Sequence, residues 1–231
     1  ASATASSPNA FSSEQLVLQS GAKIMGTGQI VLNTNTANLS AGQVIADGIL
    51  VRNNTVGGGD IALGATVGGK LSLLQADLDA LKLNAPASGV LEIGGGTSWT
   101  NNIDIAAPIS FNSANVQTLK LSAAQNITQA SNASLILPAG VGRLAALAGG
   151  DVLLDQADNM VATLAGTFSD QFRFKNAQTL TIATVAGTVG ISNALDPGPT
   201  PSVQVTVTTG NLAVNSPISV TDGGGVDGTT G

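Results

Sequence analysis

Between Thr118 and Val220 the sequence keeps returning to one pattern. A few alternating apolar residues are closed by Gly, Asn, Ala or Ser, and the pattern starts again with no long helical stretch between. Examples are Thr118-Leu-Lys-Leu-Ser-Ala-Ala-Gln-Asn-Ile-Thr128, Gly150-Asp-Val-Leu-Leu154, Gln178-Thr-Leu-Thr-Ile-Ala183 and Gly210-Asn-Leu-Ala-Val-Asn215. A single segment of this kind cannot bury its own apolar face. A stack of them can, and that requirement constrains the fold more than any other feature of the chain.

Composition agrees with a stack. Hydrophobic residues make up 43% of the chain and charged residues only 10%, so the chain is too apolar to stay disordered. Yet it has five Phe, one Trp and no Tyr. Val, Ile, Leu and Ala must therefore fill the core, which makes a narrow, regular interior the expectation. The 29 Gly, with many Asn, Ser and Thr, supply frequent tight turns. The 231 residues suffice for one large all-β domain.

Several functions are excluded at this level. The net charge is −6 with eight scattered basic residues, which argues against nucleic acid as a partner. Only Arg173 and Lys175 lie close together, and on a strand they read as a solvated outer face. Without Cys there is no disulfide framework and no thiolate metal site. Without His, Ser-His-Asp and Cys-His catalysis are impossible within this chain. No apolar run reaches the roughly 18 residues of a membrane-spanning helix.

Taken in order, residues 1 to about 14 lack periodicity and read as a flexible or extended lead-in. Residues 15–220 read as the repetitive domain and residues 221–231 as a Gly-rich end. Gln15-Leu-Val-Leu18 and Gln29-Ile-Val-Leu32 are the first strand candidates, and Asn33 to Asn38 reads as an Asn/Thr turn. Ile61, Leu71, Leu81 and Leu91 then fall ten residues apart. Leu71, Leu74, Leu78 and Leu81 also fit a helical spacing. Period-two alternation at Leu71/Leu73 and Leu81/Leu83 favours strand, turn, strand. The wording of Leu73-Leu-Gln-Ala-Asp77 recurs as Leu154-Asp-Gln-Ala-Asp158, between alternating runs in both places. Pro108 is expected at a strand start or corner, and Asp196-Pro-Gly-Pro-Thr-Pro201 is expected to protrude as a rigid loop.

Strands this short and this frequent fit an antiparallel sandwich or a parallel β-helix. Asn-Gly hairpin turns are missing, and Asp-Gly occurs only at Asp47-Gly48, Asp222-Gly223 and Asp227-Gly228. The expected fold class is therefore all-β, a right-handed parallel β-helix (β-solenoid) of roughly ten to twelve coils. At about 20 residues and ~4.8 Å per coil, it would be a rod on the order of 50 Å long.

The repeat wording resembles a known family. Leu119-Lys-Leu-Ser-Ala-Ala-Gln-Asn-Ile-Thr128, Gly150-Asp-Val-Leu-Leu-Asp-Gln-Ala-Asp-Asn159, Asn176-Ala-Gln-Thr-Leu-Thr-Ile182, Gly187-Thr-Val-Gly-Ile-Ser192 and Gly210-Asn-Leu-Ala-Val-Asn-Ser-Pro-Ile-Ser219 look like coil repeats of filamentous-haemagglutinin-type exoproteins. These are the secreted β-helices of the two-partner and autotransporter (type V) systems. The resemblance covers about Gly89 to Val220 well and the N-terminal third loosely. It implies an extracellular or bacterial cell-surface location, a role in adhesion, as a stalk or in a biofilm or surface fibre, and an outer-membrane transporter during export. The Asn-Pro-Asn-Gly-type motif that opens the family's secretion module has no match. The nearest stretch is Ser7-Pro-Asn-Ala-Phe11. An internal piece of a longer exoprotein, or a relative exported by another route, is the expectation.

Chemistry on a β-helix would need a carboxylate cluster on adjacent coils. The candidates are Asp77, Asp79, Asp151, Asp155 and Asp158, as a catalytic pair or as oxygen ligands for Ca²⁺. Asp77 and Asp79 share a side if extended, and the other three could share a turn. Solubilising charge at coil corners is the favoured reading, with no catalytic, cofactor-binding or metal site assigned. Gly223-Gly-Gly-Val-Asp-Gly228 departs from calcium-turn spacing, and Trp99 reads as a packed or corner residue. The first function expected is a structural or adhesive segment meeting host or bacterial surface molecules. The second is a self-assembling fibre subunit that meets copies of itself. A polysaccharide-active enzyme comes third.

Overall fold

The structure, a computed structural model, describes residues 2–5, 9–55, 58–95, 100–193 and 201–221. Trp99, most of the Asp196–Pro201 interruption and the Gly223–Gly228 stretch lie outside them. The chain opens with β1 (Ser2–Ala5) and β2 (Asn9–Val17). It repeats the pair as β3 (Lys23–Gly26) and β4 (Gln29–Asn38), and again as β5 (Gln43–Ala46) and β6 (Gly48–Arg52). β7 (Gly59–Leu63) and β8 (Leu71–Leu73) follow, then one helical turn, α1 (Gln75–Asp79), and β9 (Leu81–Leu83). Next come β10 (Val90–Ile93), β11 (Thr100–Ile105), β12 (Ile109–Ser110), β13 (Thr118–Ala123), β14 (Ile127–Gln129) and β15 (Leu135–Ile136). The series continues through β16 (Arg143–Ala148), β17 (Val152–Asn159), β18 (Thr163–Phe168), β19 (Gln171–Asn176) and β20 (Leu180–Ile182). A hairpin of β21 (Thr184–Val185) and β22 (Thr188–Val189) precedes β23 (Ile191–Asn193), β24 (Ser202–Val207), β25 (Leu212–Val214) and β26 (Ile218–Ser219).

Most successive strands go to different sheets, β7–β8 and β25–β26 being exceptions, and nearly all pairing is parallel. Sheet A has the order β1-β3-β5-β9. Sheet B runs β2-β4-β6-β10-β13-β16-β18-β20-β25, with β23 and β26 completing its last steps. Sheet C runs β24-β19-β17-β14-β11-β7-β8, and β12 pairs with β15. Parallel neighbours cannot be joined by a tight hairpin, so the chain mostly travels through another sheet before returning, and β7 reaches its partner β8 through a longer loop. The exception is β21–β22, which is antiparallel. Ala186 and Gly187 both take positive φ there (48° and 84°), the requirement of a two-residue hairpin loop. Among the described residues the longest path has nine strands, spread by insertions. Partners lie as few as 18 residues apart (Thr163 and Thr181) and as many as 42 (Gly48 and Val90).

Register carries the core. Leu32, Val51 and Ile93 stack on sheet B, as do Leu91, Leu119, Leu144, Leu164 and Ile182. Leu63, Ile105, Ile103, Ile127, Val152 and Phe172 face them from sheet C. These side chains form one continuous buried cluster. The aromatic part is concentrated at its C-terminal end, where Phe168, Phe172 and Phe174 are fully buried. The Phe168 and Phe172 rings are 5.8 Å apart at 58°. Gly166 makes their room, since a Cβ there would stand 2.3 Å from Phe172 Cε2.

Three sequence expectations change. Asn33–Asn38 is not a turn but the second half of β4, in register with Ser12, Ser13 and Gln15 to Val17 of β2. Asn33 and Thr34 are buried there because Asn33 Nδ2 donates to Ser12 Oγ (2.8 Å) and Thr34 Oγ1 donates to Thr36 O (2.6 Å). Where it is described, the lead-in takes the extended one of its two expected forms, as β1 and the start of β2. Leu71–Leu83 is strand, single helical turn, strand, with Leu78 buried and Leu74 turned outward. The ten-residue beat joins different things. Ile61 and Leu71 are direct partners in sheet C, whereas Leu81 lies in sheet A and Leu91 in sheet B. Pro108 immediately precedes β12, as its missing N–H requires.

A double-mutant cycle tests the Gly166 recess. Gly166→Ala should cost ~1–3 kcal/mol by overpacking and Phe172→Ala ~3–5 kcal/mol by cavity formation. Urea unfolding of the double variant should cost less than their sum, because Phe172→Ala relieves the clash.

Candidate functional site

Polar side chains in this chain are used mostly to tie one level of the stack to the next. At the entry to sheet C, the Asn102 N–H donates to Asp60 Oδ1 (3.2 Å) and the Asn126 N–H to Asn102 Oδ1 (3.1 Å). The Asp151 N–H then donates to Asn126 Oδ1 (2.8 Å), and the Gln171 N–H to Asp151 Oδ1 (2.9 Å). Each residue in this series immediately precedes a fully buried one: Ile61, Ile103, Ile127, Val152 and Phe172. A corner amide that misses the strand ladder still needs an acceptor, and a short Asx side chain one level away supplies it.

A second set is buried. Asn159 Oδ1 accepts from the Leu135 N–H (2.8 Å) and from Gln129 Nε2 (2.7 Å). Asn159 Nδ2 donates to Leu154 O (2.8 Å) and Lys175 O (3.1 Å). One level on, Asn176 Oδ1 accepts from the Val161 N–H, and its Nδ2 donates to Val161 O and Gln178 O. Both amides are saturated, which leaves little capacity for a ligand.

The five candidate carboxylates do not converge. Asp77 lies on α1, only 4% exposed, and takes the Leu39 N–H on Oδ1 (2.7 Å) and the Leu74 N–H on Oδ2 (3.0 Å). Asp79 is exposed at the end of the same helical turn, accepting from Gln75 Nε2 (2.8 Å). The helical turn separates two side chains that a strand would have set on one side. Asp151 belongs to the corner series. Asp155 and Asp158 sit on β17 and pair with Arg173 (2.8 Å) and Lys175 (2.9 Å) of β19. The two bases are thus an outer face, but a paired one. Among the described residues no group of three or more carboxylates is placed to hold a metal ion.

One charged centre was not legible in sequence. Lys70 Nζ lies 3.4 Å from Asp60 Oδ2 and bonds Asp104 Oδ2, while Thr128 Oγ1 donates to Asp104 Oδ1. The only sequence signal was a lone Lys before the strand Leu71–Leu73. Its partners lie in other strands, and the parallel register brings them together. The hydrogen bond to Asp104, helped by the charges of Asp104 and Asp60 against a partial burial, holds the Lys70 ammonium above its ordinary range. A lysine so held is neither nucleophile nor base near neutrality. Beside it runs a shallow groove of mixed character, lined by Thr36, Ala37, Val67, Lys70, Ser72 and Leu74.

Asp47 closes the opposite corner, taking the Gly28 N–H (2.7 Å) and Asn84 Nδ2 (2.8 Å). The Asn84 bond, with the Gly28 amide second, lowers its carboxyl below the ordinary value. No family model matches the chain, and no curated protein and no solved structure matches it.

Two measurements check these assignments. Asp77→Ala should destabilise by ~1–3 kcal/mol for each buried amide it orphans, whereas Asp79→Ala should be near neutral in the same urea titration. Lys70 binds its proton more tightly folded than unfolded. Its stabilisation should be complete below the unfolded lysine pKa and fade as pH rises through the higher folded value. Thermal melts of Lys70→Gln should lack that alkaline component.

Proposed function

We propose that this chain is a structural or adhesive segment of a secreted or cell-surface bacterial exoprotein, folded as a right-handed β-solenoid. The observation that carries this reading is the nine-strand parallel path over one continuous aliphatic core. Nine strands at ~4.8 Å give a body on the order of 40 Å along the stacking direction. The resemblance of its repeats to filamentous-haemagglutinin-type coils supplies the surface setting. Host or bacterial surface molecules would then meet its outer Thr, Ser and Asn side chains, and an outer-membrane transporter would handle export.

The use of polar groups supports the same view. Asp77, Asp151, Asp155 and Asp158 serve backbone amides or bases, so a glycosidase-type pair would have to be built from groups already engaged. A stalk needs the opposite of a reactive cleft. It needs every level bonded to the next, so that load passes along the stack.

Negative-stain electron microscopy of the purified chain should show short rods. Intact cells producing the chain with its native export partner should lose it to externally added protease. A compact, isotropic particle would defeat the solenoid reading, and protection from the protease would defeat the surface assignment. Asp79→Asn, Asp155→Asn and Asp158→Asn together should leave attachment to host cells unchanged. Release of sugar from bacterial or host polysaccharide that disappears in this triple variant would instead establish the enzyme.

A further inference from the structure

Arg143 departs from the way this chain treats its other bases on sheets B and C. Lys70, Lys120, Arg173 and Lys175 each have a carboxylate within ion-pair reach, and Arg52 feels the charge of Glu92. Arg143 has no such partner among the described residues. It stands on β16, in the middle of the stack, between Thr118 of β13 and Thr163 of β18. The only acid on β10, β13, β16, β18 or β20 is Glu92, which Lys120 holds at 3.2 Å. The turns that enter these strands, residues 84–89, 112–117, 137–142, 160–162 and 177–179, contain no acid either.

The guanidinium is nonetheless held in place. Nε donates to Thr118 Oγ1 (3.1 Å) and Nη2 donates to the Ala87 carbonyl, so the arm reaches across β13 toward the turn that enters β10. A guanidinium carries five N–H groups, and these two bonds leave three over. Arg143 borders a shallow pocket of about 350 Å³ whose other walls are Ala87, Gln117, Gly140, Val141 and Thr163. That volume is at the small end of ligand sites, which run from roughly 300 to 1,000 Å³. Gln117 Nε2 is committed to Ser113 O (3.1 Å), which leaves Oε1 as an acceptor. Thr163 adds a hydroxyl, and Thr181, next in the same row, adds another ~4.8 Å on. Ala87 and Val141, the latter 44% exposed, supply an apolar wall.

Resting on the adhesive reading above, we infer that this pocket binds an acidic sugar, with the carboxylate of a uronic acid residue seated on Arg143. A planar carboxylate meets the guanidinium fork through two parallel hydrogen bonds. Gln117 Oε1 accepts from a ring hydroxyl, Thr163 Oγ1 bonds another, and the C–H face of the ring lies against Val141. The Gln117 acceptor repels a second carboxylate, which favours one acid among hydroxyls over a run of acids. An acidic peptide fits less well. Both ladders of β16 are filled here, so no strand edge is open to pair with a peptide backbone. The net charge of −6 repels polyanions at long range, so recognition depends on the pocket rather than on steering.

Calorimetric titration with trigalacturonate, maltotriose and triglutamate tests this site. The unaltered chain should bind trigalacturonate and neither of the others. Arg143→Gln should weaken that binding about tenfold or more, as the loss of a charge-assisted hydrogen-bonded pair does. Because Arg143→Gln also releases Thr118 and Ala87, Thr163→Val is the second variant. It keeps the guanidinium, and it should weaken binding severalfold with an unchanged circular dichroism spectrum. Lys23→Gln, which removes an exposed base from sheet A, should change nothing. No heat with trigalacturonate overturns the inference, and so does an equal loss in Lys23→Gln and Arg143→Gln. Triglutamate binding as tight as trigalacturonate binding overturns it in favour of an acidic peptide. If the titrations fail while cells producing the chain still attach to a host surface, the sugar site falls and the adhesive reading stands. If trigalacturonate binds and those cells do not attach, the adhesive reading falls and the site stands.

Discussion

Parallel register is the constraint on which this molecule depends. A parallel strand cannot be joined to its partner by a tight turn, so most chain segments cross to another sheet and return one level further on. Once the return is in register, every inward position falls above an inward position of the level before. Leu91 over Ile49 and Leu119 over Leu91 are made by the same geometric rule. A slip of one residue would turn a whole row of Leu and Ile to water, which is why the register is so strongly specified.

Corners are where that rule leaves debts, and short polar side chains settle them. The Asp60, Asn102, Asn126 and Asp151 oxygens each take the amide of the equivalent residue one level on. The buried Asn159 and Asn176 side chains work in the other direction, their oxygens taking the Leu135 and Val161 amides of the preceding level. Charge is sparse and is used in the same direction. Lys120 pairs with Glu92 (3.2 Å), Arg173 with Asp155 and Lys175 with Asp158, each across neighbouring strands. Exposed pairs of this kind add little stability individually. Their contribution here is to keep like charges from stacking along a parallel face.

The hairpin β21–β22 shows how the stack tolerates insertion. It leaves sheet B between β20 and β23, which continue side by side on β18. Val185 of the hairpin folds back onto Ala145 and Ala165, and all three are buried in a small cluster outside the main core. Small residues on the outer face of β16 and β18 make that return possible. Insertions of this sort cost the ladder little, because strands on either side keep their partners.

Much of the architecture was written in the sequence, because period-two alternation and turn residues are local signals. The short strands, the aliphatic core and the rarity of hairpins all follow from them. Tertiary structure decided what local signals cannot carry. Gln-Ala-Asp is helical at 75–77 and extended at 156–158. In the first place Asp77 is held by the distant Leu39 amide, and in the second Asp158 is held by Lys175 of the adjoining strand. Asn33–Asn38 has turn composition yet becomes strand, because β2 lies beside it and bonds its polar side chains. Lys70 meets Asp60 and Asp104 only because strands far apart in the chain are neighbours in the sheet. Sequence therefore determined what each segment prefers by itself, and the stacking of levels determined which partner satisfied it. A buried polar group takes its conformation from whatever acceptor or donor the next level supplies.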